Sequence, residues 1–425
     1  MPKHTFLLLL ATGAGFAEVH TVTLRQAVDV AVKQNADVVL ARLDEQKAQA
    51  AIRIAKDPFS PKVYAGSGLA KTYGYPSSIE GAAPSIVQTR TDMAIFNRPK
   101  TYELARAREN ARGVAIATES KSDEVAYQTA SLYLDAQQMT LNLRSLNLEV
   151  ESLQRVGEAI KLRTQEGREL PISNTRAAVD LARVRQRAEA LQEDLDYAQA
   201  SLAVVLGYPA TDRVQPVDNE PARLEVPETE PAAVALALEN SKDVRRLESQ
   251  LQAKGLELRG YHAARLPVID VVAQYALFAK SNYDQFFTHF QRNNGEVGAA
   301  ITVPLLVGSA AKGYLTQAET EALELRTQIN QTRNRIELDT QKSYHDMQKA
   351  SSAHEVARLD LDYAREQVSV LLSQLEEGRA TQQAIDDARL LEQEKWIVFY
   401  DTQHALENAR LSVLRETGTL AAALR

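Results

Sequence analysis

Two stretches of the chain place apolar residues at alternating steps of three and four, the pattern of helices packed side by side as coiled coils. The two seams are Met139, Leu143, Leu146, Val150, Leu153, Gly157 and Ile160, and then Leu181, Val184, Ala188, Leu191, Leu195, Ala198, Leu202 and Val205. No proline lies between Pro99 and Pro171. A helix of about 66 residues from Pro99 to about Gln165 would be about 100 Å long. The pattern therefore predicts two consecutive long helices.

A short turn is predicted between these helices. Gly167 ends the first helix, Pro171 follows, and the second helix is expected to begin near Ser173, whose hydroxyl can cap it. Gly378 and Thr381 hold the same places later in the chain. Each half is therefore expected to contain an antiparallel helical hairpin.

Four segments alternate apolar and polar residues and are predicted to be strands: 62–75, 87–96, 268–278 and 295–303. Each segment has one apolar face. In the third and fourth segments these faces hold Ile269, Val271, Ala273, Tyr275 and Leu277, and Val297, Ala299, Ile301 and Val303. The corresponding positions of the first and second segments are Val63, Ala65 and Leu69, and Met93 and Ile95. The opposite faces hold Asp270 and Gln274, and Glu296 and Thr302. Strands of about ten residues fit either a tilted membrane-spanning strand or a soluble sheet with one buried face.

Two further segments complete the chain. A helix is predicted from Thr23 to about Lys56, where Asp57 and Pro58 end it. Five prolines lie between Tyr208 and Pro231, so this segment is predicted to be an extended surface connector that contributes nothing to a core.

Residue types recur along the chain at a long, fixed spacing. Ala27, Val28, Asp37, Val38, Pro61, Ala94 and Ile95 return 206 positions later, and Tyr133, Glu166, Gly167, Arg168, Leu195, Ala198 and Gly207 return 211 positions later. A long period in register predicts a duplicated structural unit. We therefore expect two repeats, about 22–210 and 230–420, joined by the proline-rich linker 208–231 within a single domain of residues 18–425.

The first 17 residues read as a secretory signal peptide. Lys3 and His4 precede an apolar run from Phe6, and the small residues Gly15 and Ala17 provide a cleavage site before Glu18. The alternative is a frayed, buried N-terminal helix. No later segment has the roughly 18 consecutive apolar residues of a membrane-spanning helix.

Composition excludes several classes of function. The chain has 49 basic and 56 acidic residues, a net charge of −7, and no cysteine. Mild acidity argues against nucleic-acid binding, and the lack of cysteine excludes thiolate metal sites and cysteine nucleophiles. None of the seven histidines belongs to a His-Glu-x-x-His pattern and no phosphate-binding loop is found, so neither an enzyme nor a cofactor is expected. Four aromatic residues, Tyr283, Phe286, Phe287 and Phe290, would form a membrane girdle, a plug or a soluble apolar patch.

Taken together, these features resemble the TolC family of bacterial outer-membrane efflux proteins, from about Val22 to Leu420. The marks are the duplication, the strand pairs after Pro61 and Pro267, the Glu-Gly-Arg turns at 166–168 and 377–379, and the Leu-Gly-Tyr and Thr-Gly-Thr-Leu sequences at 206–208 and 417–420. The resemblance implies a mainly α, internally duplicated fold with a small membrane β-part. Four strands per chain would give a homotrimer a twelve-stranded β-barrel, continuing into a long periplasmic α-helical barrel.

The resemblance also implies a function and a site. The chain would be the outer-membrane exit duct of a tripartite efflux or type I secretion system, a passive channel opened at its periplasmic tip by a periplasmic adaptor (membrane fusion protein) and an inner-membrane transporter. Partners would contact the tip turns, Glu166, Gly167 and Arg168 with Glu377, Gly378 and Arg379. Its other partner would be outer-membrane lipid.

The family's gate aspartates correspond to Asp387 and to Ala384, with Asp386 adjacent, so the sequence departs from the two-aspartate pattern. Three copies of Asp387 around an axis would form an acidic ring that favours cations. The alternative for Asp386 and Asp387 is that they are first-turn carboxylates facing a helix dipole. For the whole chain, the alternative function is a soluble periplasmic coiled-coil scaffold or adaptor.

Overall fold

The computed structural model describes residues 18–68, 85–217, 224–279 and 291–424. The predicted signal peptide (1–17), Leu69 with the rest of the first predicted strand, and the four aromatic residues Tyr283, Phe286, Phe287 and Phe290 lie outside the described residues.

The elements follow one another as strand β1 (Val19–Val22), helices α1 (Leu24–Gln34) and α2 (Ala36–Lys56), a 3-10 turn (Asp57–Phe59), strands β2 (Lys62–Gly68) and β3 (Ser85–Phe96), helices α3 (Arg98–Gln165) and α4 (Pro171–Val205), strand β4 (Arg213–Pro216), helices α5 (Glu230–Asn240) and α6 (Lys242–Ala263), strands β5 (Val268–Phe278) and β6 (Asn293–Thr302), and helices α7 (Ala310–Glu376), α8 (Gln382–Glu416) and α9 (Leu420–Ala423). The predicted long helices and the four predicted strand positions are confirmed. The fold is mainly helical with a few strands.

The chain divides into two compact units. The helical unit comprises the described parts of residues 1–41, 119–242 and 333–425, and its core includes Tyr133, Leu202, Leu206, Leu411 and Leu414, each at most 1% exposed. The sheet unit comprises the described parts of residues 42–118 and 243–332 and contains β2, β3, β5 and β6.

The single helix predicted from Thr23 to Lys56 is wrong, because Asn35 divides it into α1 and α2. Asn35 has an extended ψ of 134°. Its Nδ2 donates to the Val205 carbonyl at 2.9 Å, and its Oδ1 accepts the Asp37 N–H at 2.9 Å. Asparagine side chains compete with helical backbone bonds in this way, and here the competing bonds are formed.

The prediction that the connector 208–231 contributes nothing to a core is also wrong. Its residues 213–216 form β4, which pairs in parallel with β1, and Val214 of that strand is fully buried. Leu224 is 5% exposed and belongs to the same core. The connector is held in place because its apolar side chains enter the helical core, and its last residues already begin α5.

The predicted cap of α4 is wrong, whereas that of α8 is confirmed. Helix α4 begins at Pro171, with Leu170 at its N-cap and no side-chain cap bond, so Ser173 lies inside the first turn. Proline suits this first position because it has no N–H to leave unpaired. In α8 the Thr381 hydroxyl accepts the Ala384 N–H at 3.2 Å.

Within the described part of the chain, no helix is both long enough and apolar enough to cross a membrane.

Candidate functional site

The four-stranded sheet of the sheet unit has the order β2-β3-β5-β6, and every neighbouring pair is antiparallel. Strand register decides which side chains share a face, because residues paired across a sheet point the same way. Val63 pairs with Thr91, Thr91 with Ala273, and Ala273 with Val297. The alternating faces predicted for the separate strands therefore form one face of the sheet.

This apolar face continues along the strands. Met93 pairs with Val271 and Val271 with Ala299, while Ile269 pairs with Ile301. Its side chains are not covered in the single chain, since Val63 is 70% exposed and Val297 is 83% exposed. Ile95 lies at an irregularity between Ala94 and Phe96, so it falls outside the regular alternation. The sheet thus presents an exposed apolar surface that needs a cover other than this chain's own core.

The opposite face of the sheet includes a row of polar and charged side chains. Tyr64 pairs with Arg90, Arg90 with Gln274, and Gln274 with Glu296, which places these four residues in one row across all four strands. Arg90 Nε also lies 2.9 Å from Asp92 Oδ1 two residues along β3. A sheet with one apolar and one polar face suits a boundary between an apolar and an aqueous phase.

The two hairpin turns have nearly the same backbone. Gly167 and Gly378 have φ values of 69° and 71°, a conformation that costs glycine little. The following N–H closes each helix end, with Arg168 donating to the Arg163 carbonyl and Arg379 to the Gln374 carbonyl, both at 2.8 Å.

The side chains of the turns also correspond. Arg168 Nη1 lies 3.2 Å from Glu166 Oε2, and Arg379 Nη1 lies 3.2 Å from Glu377 Oε2. All four charged side chains are more than half exposed. The two candidate contact turns therefore expose the same acidic and basic pair.

The candidate gate residues lie near the start of α8. Asp386 and Asp387 are the fifth and sixth residues of that helix, beyond its first turn. Asp386 Oδ1 accepts a hydrogen bond from Gln382 Nε2 at 3.0 Å, while Asp387 is exposed. The alternative interpretation as first-turn carboxylates is therefore wrong, because the helix begins earlier than that interpretation requires. The buried neighbours Ile385 and Ala388 fix this part of the helix.

The predicted apolar seams of α3 and α4 meet in the helical unit. Leu146 and Leu153 of α3 pack with Val184 and Ala188 of α4, and the flanking seam residues Leu143, Val150, Leu181 and Leu191 join them together with Leu390 and Ile397 of α8. Packing at these steps is what the heptad pattern predicts. The seams therefore fix the hairpin that leads to the turn at Gly167.

A second, polar stripe of α3 is buried as well. Asn142, Ser145 and Glu149 are each 6% exposed and follow the same steps of three and four. Asn142 Nδ2 and Gln138 Nε2 donate to Asp401 Oδ1 of α8 at 2.7 Å and 2.5 Å. This stripe was not predicted from the sequence, because polar residues at seam spacing look like a solvated helix face.

Glu149 is the charged member of the polar stripe. Burial raises the pKa of the Glu149 carboxyl, an effect opposed by Arg187 of α4 and reinforced by Glu394 of α8. Its Oε2 is buried and has no hydrogen-bond partner among the described residues. The junction of α3, α4 and α8 thus contains a carboxyl group for which ionisation is unfavourable.

Neither a protein-family model nor a curated protein sequence matches the chain. Solved structures do match in fold. The outer membrane protein VceC from Vibrio cholerae superimposes with a TM-score of 0.74 at 16% identity, covering 93% of this chain and 96% of VceC. The CmeC outer membrane channel of Campylobacter jejuni gives 0.74 at 14% identity, covering 93% and 85%.

The channel-forming protein CusC gives a TM-score of 0.73 at 14% identity and covers 96% of this chain and 95% of CusC. In all three comparisons the match covers at least 93% of this chain and at least 85% of the neighbour. The chain has the fold of outer-membrane channel proteins, as its resemblance to the TolC family implied.

Proposed function

We propose that the chain is the outer-membrane exit duct of a tripartite efflux or type I secretion system. The observation that carries the proposal is the single exposed apolar face shared by all four strands of the sheet, in a chain with the fold of outer-membrane channels. Lipid would cover the apolar face. Water would contact the opposite face, which holds the row that contains Arg90 and Glu296. The function would be gating of a passive channel, without catalysis or a cofactor.

The sheet must close on copies of itself to serve in a membrane. Strands β2 and β6 are its outer strands. An open sheet edge in lipid leaves backbone groups unpaired at a cost of several kcal/mol each. A homotrimer would pair β2 of one chain with β6 of the next and form a twelve-stranded barrel, which exceeds the roughly eight strands that closure requires.

Exposed apolar residues on the helices support the same assembly. In the helical unit, Leu338, Val356, Leu359 and Tyr363 of α7 are each more than half exposed, and so is Tyr197 of α4. A helical barrel built from three chains would cover such residues between neighbouring chains. The helical barrel would continue from the β-barrel into the periplasm.

Internal duplication would explain how one chain supplies two similar parts of the wall. Helices α1 and α5 both have 11 residues and start 206 positions apart. Helices α4 and α8 both have 35 residues and start 211 positions apart. These spacings support two repeats, about 22–210 and 230–420, joined by the linker 208–231.

Opening would take place at the periplasmic tip. A periplasmic adaptor and an inner-membrane transporter would engage the exposed turns at Gly167 and Gly378, whose Glu and Arg side chains are presented identically. Three copies of the exposed Asp387 would line the constriction, with Asp386 beside them. Partner binding would widen this ring and let cargo pass.

The first test is the assembly state of protein extracted by detergent from an outer-membrane fraction, measured by native mass spectrometry. The proposal predicts a trimer that survives mild denaturation. A monomer or dimer in the soluble periplasmic fraction would refute the duct and favour a coiled-coil scaffold or adaptor.

The gate is tested separately in planar bilayers. Asp387→Ala should raise single-channel conductance or lower the preference for cations, because it removes an acidic ring. The matched control is Asp180→Ala on α4, an acidic residue that already pairs with Arg183 and Arg176 along its own helix. If the Asp387 variant has the same conductance and ion selectivity as the wild type, Asp387 does not act as a gate.

A further inference from the structure

Asp212 lies where the connector 208–231 meets the first strand of the chain. The residue is 8% exposed and directly precedes β4, which pairs in parallel with β1. Its Oδ2 lies 3.2 Å from His20 Nε2, and its Oδ1 accepts a hydrogen bond from the main-chain nitrogen of Glu18 at 3.3 Å. One nearly buried carboxylate therefore holds the start of the described chain.

The main chain around Glu18 is fixed at both ends of β1. At the first end, the Glu18 carbonyl accepts the Arg213 N–H at 2.9 Å. At the other end, the Val22 carbonyl accepts a hydrogen bond from the Tyr133 hydroxyl of α3 at 3.1 Å. Because both ends of the strand are anchored, the Glu18 nitrogen is kept beside the Asp212 carboxylate.

The Asp212 carboxylate has little positive charge around it. Among the described residues, His20 is the only cationic side chain within ion-pair distance, and a histidine is charged only when protonated. The guanidinium of Arg213 donates instead to the main-chain carbonyls of residues 210–212 at 3.0–3.3 Å. The hydrogen bond from His20 is the main reason that the pKa of Asp212 is lowered, and the Glu18 nitrogen contributes less. A nearly buried, ionised carboxylate favours a permanent cation beside it.

Glu18 is also the residue at which the mature chain is predicted to begin. When a signal peptidase hydrolyses the bond between Ala17 and Glu18, the oxygen of one water molecule enters the new Ala17 carboxylate. Both protons of that water go to the Glu18 nitrogen, so a neutral peptide N–H becomes an ammonium group with three N–H donors. A hydrogen bond with a charged partner is roughly twice as strong as a neutral one. Cleavage would therefore strengthen a contact that the fold already forms.

We propose that Asp212 is the binding site for the mature N-terminus, where its carboxylate forms an ion pair with the primary ammonium group of Glu18 once the signal peptide is removed. Processing would then tighten the pairing of β1 with β4, whose Val214 is fully buried in the helical core. The precursor lacks this ion pair, so its first strand would be held less firmly than that of the mature chain. The proposal requires export and cleavage and is separate from the duct function.

The N-terminal residue of protein extracted from a membrane fraction is determined by mass spectrometry of its tryptic peptides. The proposal predicts the peptide 18–25 with a free α-amine on Glu18. This peptide ends at Arg25 and contains no lysine, so the α-amine is its only amine. A mature chain that begins at any other residue would overturn the proposal.

The reactivity of this amine reports the ion pair. Intact protein in detergent is labelled with trace acetic anhydride between pH 6 and pH 10 and then digested, and the labelled fraction of peptide 18–25 gives the pKa of the α-amine. An ammonium group beside a carboxylate keeps its proton more tightly, so we expect this pKa to be raised to about 9 from the ordinary value of about 7.7–8.0. Asp212→Asn should restore the ordinary pKa, so that the amine reacts about tenfold faster at pH 7.

Two further variants separate the charge of Asp212 from the packing of β1. Asp212→Glu keeps the carboxylate, so the pKa of the amine should stay raised. His20→Gln removes the other contact of Asp212 together with the stacking of His20 on Tyr208, whose ring centroids are 4.1 Å apart. The carboxylate remains, so the pKa should again stay raised. If His20→Gln lowers it as much as Asp212→Asn does, packing of β1 is the cause and the proposal fails.

The wild type alone can also refute the site. An ordinary pKa for the Glu18 amine in the folded protein would overturn the proposal, whether or not Asp212→Asn folds. The result is distinguishable from failure of the duct, because native mass spectrometry of the same preparation decides the assembly state. A raised pKa in a protein that is not a trimer would support the N-terminal site while the duct proposal fails.

Discussion

Single residues in this fold differ in how much space their neighbours leave. Gly418, which follows the end of α8, has φ of 66°, and a Cβ placed there would lie 2.9 Å from Asn240 Cβ. Gly378 has a similar φ of 71°, but an added Cβ would meet open space. Alanine at Gly378 would therefore add backbone strain alone, whereas alanine at Gly418 would add both backbone strain and a steric conflict.

We expect Gly378→Ala to cost about 1–2 kcal/mol of unfolding free energy, the strain of a left-handed residue. Gly418→Ala should cost a further 1–3 kcal/mol or so, because the contact with Asn240 adds overpacking. Thermal unfolding of the two purified variants beside wild type checks this order. Equal melting temperatures would show that Asn240 moves away freely.

Glu149 makes stability depend on pH. Burial is the main reason that its pKa is raised from 4.5, and Arg187 and Glu394 are the charges that act on it from α4 and α8. The folded state then holds its proton more tightly than the unfolded state. The stabilisation is fully present below the ordinary pKa and is lost as pH rises through the folded pKa.

Glu149→Gln should therefore stabilise the helical unit at pH 8 by about 1–3 kcal/mol and leave stability near pH 4 almost unchanged. Melting temperatures measured across this range check the prediction. Glu151→Gln, at an exposed position on the same helix, is the control and should shift stability by less than about 0.5 kcal/mol. If Glu149→Gln raised the melting temperature equally at every pH, the ionisation of Glu149 would not be the cause of the gain.

At the level of elements, the two hairpins share a turn and differ in how the next helix begins. Thr381 caps α8 through its hydroxyl, whereas α4 begins with Pro171 and has no side-chain cap. Thr381→Ala should therefore cost about 1 kcal/mol, and Ser173→Ala should cost much less because Ser173 caps nothing.

Hydrogen exchange at the start of each helix measures this difference locally. The amides of Ala384 and Ile385 should exchange faster in the Thr381 variant, since Ala384 loses its bond to the hydroxyl. The corresponding amides of α4 should keep their rates in the Ser173 variant. Faster exchange in both hairpins would mean that the caps are equivalent after all.

For the whole molecule, the decisive feature is the division of the sheet into an apolar and a polar face. Val297→Lys should impair assembly in the outer membrane, because a lysine on a lipid-facing strand position costs about 2–4 kcal/mol near the membrane midplane. Glu296→Lys changes the neighbouring residue on the polar face and should be tolerated. The amount of the proposed trimer in the membrane fraction measures both effects.

If the two variants assemble equally well, the apolar face does not contact lipid, and the duct proposal fails at its main observation. If both fail to assemble, a lysine at this end of β6 is not tolerated on either face, and Ala299→Lys with Gly298→Lys repeats the comparison further along the strand. Loss in the Ala299→Lys variant alone would again support the lipid-facing assignment.

Much of the fold could be predicted from local periodicity. The strand predicted at 268–278 is β5, and the helix predicted from Pro99 to about Gln165 is α3 to within a residue at its start. Both signals are carried by neighbouring residues, because the period of apolar positions reports the local backbone geometry. The positions of the turns at Gly167 and Gly378 were predictable from another local signal, because glycine ends helices and proline or threonine begins the next one.

Other features depend on residues far apart in the chain. Asn35 breaks a helix because the Val205 carbonyl is within reach, and β1 forms because β4 pairs with it from the proline-rich connector. Likewise, Asn142 is buried because Asp401 accepts its hydrogen bond from α8.

The amino-acid sequence thus specified the long helices, the four strands of the sheet and the apolar side of each of those strands. Tertiary packing determined where helices break and which polar residues are buried. A polar side chain at helical spacing can face solvent or form hydrogen bonds to a neighbouring helix, and the spacing is the same in both cases. Only the donor or acceptor that the fold brings near it decides between them.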